Sequence, residues 1–386
     1  MTILLLANHL NTGGITAYLY GLCRCLHGRD GIRMVVASRG GNREKDFSML
    51  GVTCLRVPLT TKCEVSPKVL WSYWRLGPMV KVLKVDVIHA NTRVTQVLAA
   101  LLSRRCGVPY MSTCHGYFKV RLPRRLVPCW GRKVIAISEP VRRHLVEDFK
   151  VPPERVVLIR HGIDLKRFFA RTPQEKAALR RFWSIPEDAK VVGHIGRLSV
   201  VKGQIYFLEA ARTLLDRRGD CLFLLIGEGP EKAALRAAVE RWGLEPRVRL
   251  AASTKDLSLA LSLMDVFVMP SLEEGLGLSV LEAQAQGVPV VASRVGGLRD
   301  IVEDGVTGRL VAPRDAAGLA DAIEGLLDDA AAAKKMREEA QRRIHASFSA
   351  EEMAEATRVL YASLSRLRRM PRAYPGSLPE MKERGT

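Results

Sequence analysis

A chain of 386 residues, 47% of them hydrophobic, with 31 glycines and 19 prolines, is too long for one ordinary domain and too apolar for a disordered one, so two globular domains are expected. The formal net charge of +20 is uneven: residues 1–170 hold 28 Lys and Arg against 10 Asp and Glu, and residues 171–386 hold 32 against 30. The excess of the first half suits a polyanionic partner there (nucleic acid, an anionic membrane surface or a phosphorylated substrate) unless it is only a solvated basic surface.

Met1 to Ala7 is apolar but short, lacks a preceding basic residue and runs into Asn8 and His9. It reads as a buried first strand rather than a signal peptide. No apolar run reaches the roughly 18 residues that span a bilayer. Strands are expected at 2–7, 33–37, 86–90, 109–113 and 133–137, each leading through a turn into a helical pattern. Asn11-Thr12-Gly13-Gly14 closes the first strand and opens a helix over 15–27, where Gly14 could meet a phosphate. Trp71 to Lys84 and Tyr117 to Trp130 interleave aromatics with cations, as suits a membrane interface, an anionic saccharide, nucleic acid or plain half-buried helices. His115 stands just past a strand; it could orient a hydroxyl, donate a hydrogen bond, act as a base or be merely structural. Eight scattered cysteines without a C-x-x-C pair read as reduced thiols in a cytoplasmic protein.

The pattern resets near 165–190, around a charged helix at 173–183. The first domain is therefore expected over 1–167 and the second over 168–349. Strands of the second are expected at 191–195, 221–226, 247–251, 266–269, 289–292 and 309–311. Continuous apolar strands such as Cys221 to Ile226 suit parallel sheets covered on both faces, and the strand–helix rhythm gives two doubly wound α/β domains. An Ala-rich helical segment follows at 315–346, then a last helix at 350–368. Residues 370–386 read as a mobile tail.

Two strand-end loops of the second half carry the chemistry. In Gly196-Arg197-Leu198-Ser199-Val200-Val201-Lys202-Gly203, Arg197 offers a planar fork and Lys202 a point charge, both suited to a diphosphate. In Glu274-Gly275-Leu276-Gly277-Leu278, the glycines allow close approach and a helix starts near Gly277 and ends near Gly287. The free N–H groups of that start favour phosphate. Glu274 before it and Glu282 a turn inside can accept hydrogen bonds from sugar hydroxyls. Together they fit a phosphate flanked by two polyols.

Read as a set, these residues resemble the retaining GT-B glycosyltransferases of family 4, from Gly13-Gly14 to about residue 365. Ala136-Ile137-Ser138-Glu139 and His161-Gly162-Ile163-Asp164 belong to the resemblance, although the family usually has Asn at 160 or 161. Leu276 stands where Phe is common. The resemblance implies two facing Rossmann-like domains and a final helix returning to the first. Arg197, Lys202 and Gly14 would bind the donor diphosphate. Glu274 would bind the donor sugar, beside the N–H groups of Gly275, Leu276, Gly277 and Leu278, and Glu282 the ribose. Residues 227–230, with Gly229, and 251–257 would line the nucleoside, and His115 would lie near sugar and acceptor. The expected reaction is retaining transfer of a hexose-type sugar from a UDP-, GDP- or ADP-sugar, with Glu274, His115, Arg197 and Lys202 in catalytic roles.

No cofactor and no metal are implied, since no Asp-x-Asp occurs. The acceptor is expected to be an anionic glycan or a lipid-linked one, such as a lipopolysaccharide core or another cell-envelope glycan, reached at the inner face of the cytoplasmic membrane. The alternatives are another GT-B enzyme, such as a nucleotide-sugar epimerase or a phosphorylase, and a non-catalytic polyanion-binding protein. Nucleic acid is the less favoured partner.

Overall fold

The computed structural model describes residues 1–369 apart from 62, 65, 119–127, 253 and 255. The tail expected at 370–386 and the centre of the second basic-aromatic stretch lie outside the described residues.

Seven strands form a wholly parallel first sheet: β1 (Thr2–Leu6), β2 (Arg33–Ser38), β3 (Thr53–Arg56), β4 (Val87–Ala90), β5 (Tyr110–Cys114), β6 (Val134–Ala136) and β7 (Val156–Leu158). Their order is β3-β2-β1-β4-β5-β6-β7. The apolar run of β1 follows from burial on both faces. Ile3 and Leu5 pack with Leu19 and Leu22 of α1 (Gly14–Leu26), while Leu4 and Leu6 pack on the other side with Val69 and Leu76 of α3 (Pro67–Val82) and Leu98 of α4 (Arg93–Cys106). A short helix α2 (Glu44–Met49) joins β2 to β3, and α5 (Glu139–Glu147) joins β6 to β7.

The second sheet is also wholly parallel, in the order β10-β9-β8-β11-β12-β13. It comprises β8 (Lys190–Ile195), β9 (Cys221–Ile226), β10 (Val248–Ala251), β11 (Val266–Met269), β12 (Val290–Ser293) and β13 (Arg309–Val311). Its helices are α6 (Pro173–Phe182) before β8, α7 (Gln204–Arg217), α8 (Lys232–Arg241), α9 (Leu257–Leu261), α10 (Leu278–Gln286) and α11 (Leu298–Ile301). The helical segment expected over 315–346 is two helices, α12 (Ala316–Asp328) and α13 (Ala330–Ser347). Asp329 divides them: its backbone is non-helical and its side chain caps α13 by accepting from the Ala332 N–H at 2.8 Å.

Every strand expected from the sequence is present, with ends moved by a residue or so, and β3 and β7 are additional. The strand order reverses beside β1 in one sheet and beside β8 in the other, opening a crevice at the carboxyl end of each. The last helix, α14 (Ala350–Arg369), returns to the first sheet, where Met353, Tyr361 and Leu364 enter the core with α1. The outgoing and returning strands of chain run side by side: Ile163 donates to Phe348 O and accepts from the Ala350 N–H, both at 2.9 Å. Arg24 of α1 binds both crossings, 3.3 Å from Asp164 and 2.9 Å from Glu351.

Candidate active site

The two crevices face each other, and the loops named from the sequence meet there. The Ser138 hydroxyl donates to Gly275 O at 2.7 Å, and Asp300 accepts from the Glu139 N–H, also at 2.7 Å. Gly275 lies so close to His115 that a Cβ there would stand 2.6 Å from the His115 carbonyl oxygen. Gly14, opening α1, faces Leu278, opening α10; a Cβ on Gly14 would touch the Leu278 side chain at 3.3 Å. The Asn11–Gly14 turn is held from behind, with Asn42 accepting from the Thr12 N–H at 2.9 Å and Asn11 O accepting from the Thr16 hydroxyl at 2.6 Å.

The cationic loop after β8 is supported by two residues that sequence reasoning missed. His194 is buried, with Nδ1 2.8 Å from Val268 O and Nε2 3.2 Å from the Gln204 amide nitrogen, which also donates to Arg197 O at 2.9 Å. An acceptor at one ring nitrogen and a donor at the other fix a neutral tautomer, with Nδ1 protonated. Burial accordingly lowers the His194 pKa to about 4. Gly203 ends this loop with φ +64, and a Cβ there would meet Pro270 O at 2.1 Å. Only glycine fits that corner. The Arg197 side chain is exposed at the cleft and makes no hydrogen bond among the described residues. Arg197 and Arg39 both bear electrostatically on His9 and, after burial, lower its pKa, so the loops after β2 and β8 bring two cations to a neutral imidazole on the loop after β1. Gly229 closes against the same loop, where a Cβ would stand 2.0 Å from Leu198 O.

Lys202 and Glu274, which the sequence assigns to different parts of a donor, are in direct contact through Nζ and Oε2. Opposite charges on adjacent, largely buried loops account for the pairing. Beyond Glu274 the backbone N–H groups of Gly275, Leu276, Gly277, Leu278 and Ser279 make no hydrogen bond among the described residues. They include the first turn of α10, whose N-cap Gly277 has φ +104. The Leu276 side chain itself is buried in the core and offers the cleft only its backbone. One turn further, Glu282 has no hydrogen-bond partner among the described residues, and burial raises its pKa to about 7 against the weaker pull of Arg167. Of the segment 251–257, Asp256 is committed elsewhere: it caps α9 and binds Arg171 at 2.9 Å.

His115 is half-buried, and its Nε2 lies 3.2 Å from Asn91 Oδ1. The Asn91 amide is oriented by its nitrogen donating to Leu6 O at 3.4 Å and His89 O at 3.2 Å, so its oxygen faces His115 and Nε2–H must donate. The sequence leaves donor, base and acceptor roles open. This arrangement leaves Nδ1 as a hydrogen-bond acceptor, and burial, with His161 and His89 nearby, holds the ring pKa well below its usual value. Beneath it lies a buried polar chain invisible in the local sequence. His89 binds the Tyr361 and Thr113 hydroxyls, each at 2.7 Å, and Thr113 meets the Tyr18 hydroxyl at 3.1 Å. The Tyr18 ring then packs edge-on against His115 at 4.9 Å. Among the described residues no group of three or more His, Cys, Asp or Glu side chains could hold a metal ion.

Two parallel α/β sheets meeting carboxyl end to carboxyl end, with a short double crossing and a returning last helix, define the GT-B class of fold. The model of glycosyltransferase family 4 matches residues 12–167, and that of the group 1 glycosyl transferases matches residues 189–329. A D-inositol 3-phosphate glycosyltransferase of Geodermatophilus obscurus is 31% identical over 76% of this chain and 70% of its own. The chain belongs to glycosyltransferase family 4. Another protein of that description, from Frankia alni, is 33% identical over 63% of this chain; the match spans 65% of the relative's length. The crystal structure of Anabaena Alr3699/HepE in complex with UDP and glucose has a TM-score of 0.83 at 22% identity, covering 94% of this chain and 99% of that one.

Proposed function

We propose that this chain transfers a hexose-type sugar, with retention, from a nucleoside diphosphate donor to an anionic glycan or lipid-linked acceptor. The observation that carries the reading is the contact of Lys202 with Glu274 beside the unengaged N–H groups of 275–279. A diphosphate entering there takes Lys202, Arg197 and the start of α10 as its counter-charges, with Gly14 approaching from the other sheet. Glu274 is then released to accept hydrogen bonds from the donor sugar. Glu282, deprotonated, accepts from the ribose hydroxyls, and the turn at Gly229 lies where a base would stack.

In the reaction the bond from the anomeric carbon to the phosphate oxygen breaks, and its electron pair stays on the phosphate. Arg197, Lys202 and the helix start stabilise that charge as it develops, which is the largest contribution such a site can make. The acceptor oxygen bonds to the anomeric carbon on the face the phosphate leaves, and its proton passes to the departing phosphate oxygen. His115, a hydrogen-bond acceptor at Nδ1 and a weak base, orients a sugar hydroxyl rather than removing a proton.

The acceptor is read from the basic first half and from Arg39 and Arg197, which meet beside His9 at the cleft. The inositol phosphate in the names of the relatives points the same way. A cell-envelope glycan assembled at the cytoplasmic face of a membrane fits these constraints. The test is to incubate the chain with nucleotide sugars and phosphorylated acceptors and read the new linkage by NMR. The expected product keeps the anomeric configuration of the donor. An inverted linkage, or a donor converted without any acceptor, contradicts the proposal.

A further inference from the structure

We infer that the outer face of α3 is a docking surface for an anionic lipid bilayer. The helix buries Val69, Ser72, Leu76 and Val80 against the first sheet and α4, as an amphipathic helix should. Its opposite face is not polar. Leu70 and Trp71 are each 53% exposed, Trp74 58% and Val82 75%, and the exposed Pro67 and Pro78 extend the same stripe. Leu70, Trp71 and Trp74, with Pro78 and Val82, recur at helical spacing, so they form one continuous strip along the helix.

Cations flank the strip. Lys68, Arg75 and Lys81 are exposed on α3, Lys84 follows it, and residues 66–85 contain no Asp or Glu. The acids at the two ends are already paired, Glu64 with Arg93 at 2.8 Å and Asp86 with Arg368 at 3.5 Å. Arg105 of α4 stacks on Trp74 and Tyr73, 4.7 Å and 5.0 Å from their ring centres. Its buried Nη1 makes no hydrogen bond among the described residues. Indole rings at the level of the headgroups, with guanidinium and ammonium groups beside them, match a surface apolar within and negative at its rim. A soluble protein partner would have to present both a large apolar patch and a concentrated negative charge to satisfy the same strip.

The placement agrees with the cleft. Lys68, in the first turn of α3, binds the Thr60 hydroxyl at 2.6 Å, and Thr61 beside it accepts from the Asn8 amide at 3.0 Å. Those residues follow β3 and β1, so one end of the strip stands at the rim of the crevice. A chain lying on the bilayer along α3 brings its cleft next to the lipid surface, where a lipid-linked acceptor is within reach.

The experiment is co-sedimentation of the full chain with phosphatidylcholine vesicles, with and without phosphatidylglycerol, over a range of salt. Binding is expected only with phosphatidylglycerol, weakening as salt rises. Trp71→Ser with Trp74→Ser should weaken it roughly tenfold or more. Arg75→Glu with Lys81→Glu should weaken it on the order of a hundredfold at low salt. Both double variants alter exposed residues and should keep the wild-type melting temperature and its rise with nucleotide sugars. That readout separates this inference from the donor assignment, either of which can fail alone. A chain that stays in the supernatant, or variants that bind as well as wild type, overturns it. So does a dimer in light scattering that the tryptophan variant reduces to a monomer, since the strip would then be a protein interface.

Discussion

Lys202 and Glu274 neutralise each other, and this makes the pair sensitive to either partner's loss. On the proposed assignment, Lys202→Ala removes a charge from the leaving phosphate, and it leaves Glu274 without its charged partner. Transfer should fall on the order of a hundredfold or more while the fold persists, measured as initial rate at saturating donor. Glu282 gives a pH signature. Its pKa of about 7 means that it is mostly protonated below pH 7 and a full acceptor only above it. Donor affinity should therefore weaken as pH falls from 8 to 6, and Glu282→Gln should flatten that dependence in calorimetric titrations. The same shift has a stability sign. An acid whose pKa is raised by folding binds more protons in the native state between its unfolded and folded values, so it lowers stability as pH rises through 7. Glu282→Gln should raise the melting temperature by a few degrees at pH 8 and by little at pH 5.

The strand-end loops depend on glycine geometry. At Gly203, alanine would meet both an unfavourable φ and the Pro270 carbonyl. Gly203→Ala should cost about 2 kcal/mol or more in urea unfolding and loosen the Lys202 loop, weakening donor binding as well. Much of this level was legible in the sequence. Arg197, Lys202, Gly203 and Glu274 stand in short loops after apolar strands, with Glu282 one turn into the helix that follows, and local periodicity places such loops well. The strands not foreseen are the edge strands of the first sheet. β3 is only partly buried and β7 has three residues, so neither shows the long apolar run that marks β9. The break between α12 and α13 was hidden because Asp329 sits in an Ala-rich, charged stretch that looks helical throughout. The role of His115 was also not legible. It is fixed by Asn91, 24 residues away, whose amide is in turn fixed by two backbone carbonyls.

At the scale of the whole molecule, the last helix ties the two halves together through polar groups that must stay neutral. His89 lies between Tyr361 of α14 and Thr113 of β5, and His161 packs beside Tyr18 near the crossing. Burial lowers the pKa of His89 to about 3 and those of His161 and His194 to about 4. Each is depressed by folding, so each contributes stability that is complete above the unfolded value near 6.5 and declines as pH falls toward the folded value. Stability should drop by up to about 1.4 kcal/mol per histidine for each pH unit below 6, seen as a falling urea midpoint between pH 6 and 4.5. The direct test of the central claim is thermal melting of the wild-type chain and an Arg197→Ala, Lys202→Ala variant with UDP-, GDP- and ADP-sugars. At a hundredfold excess over Kd, one nucleotide class should stabilise the wild type by about 2.7 kcal/mol, and the variant by far less at the same concentration. A chain that no nucleotide sugar stabilises, or a variant stabilised as much as wild type, contradicts a donor site built from these two loops.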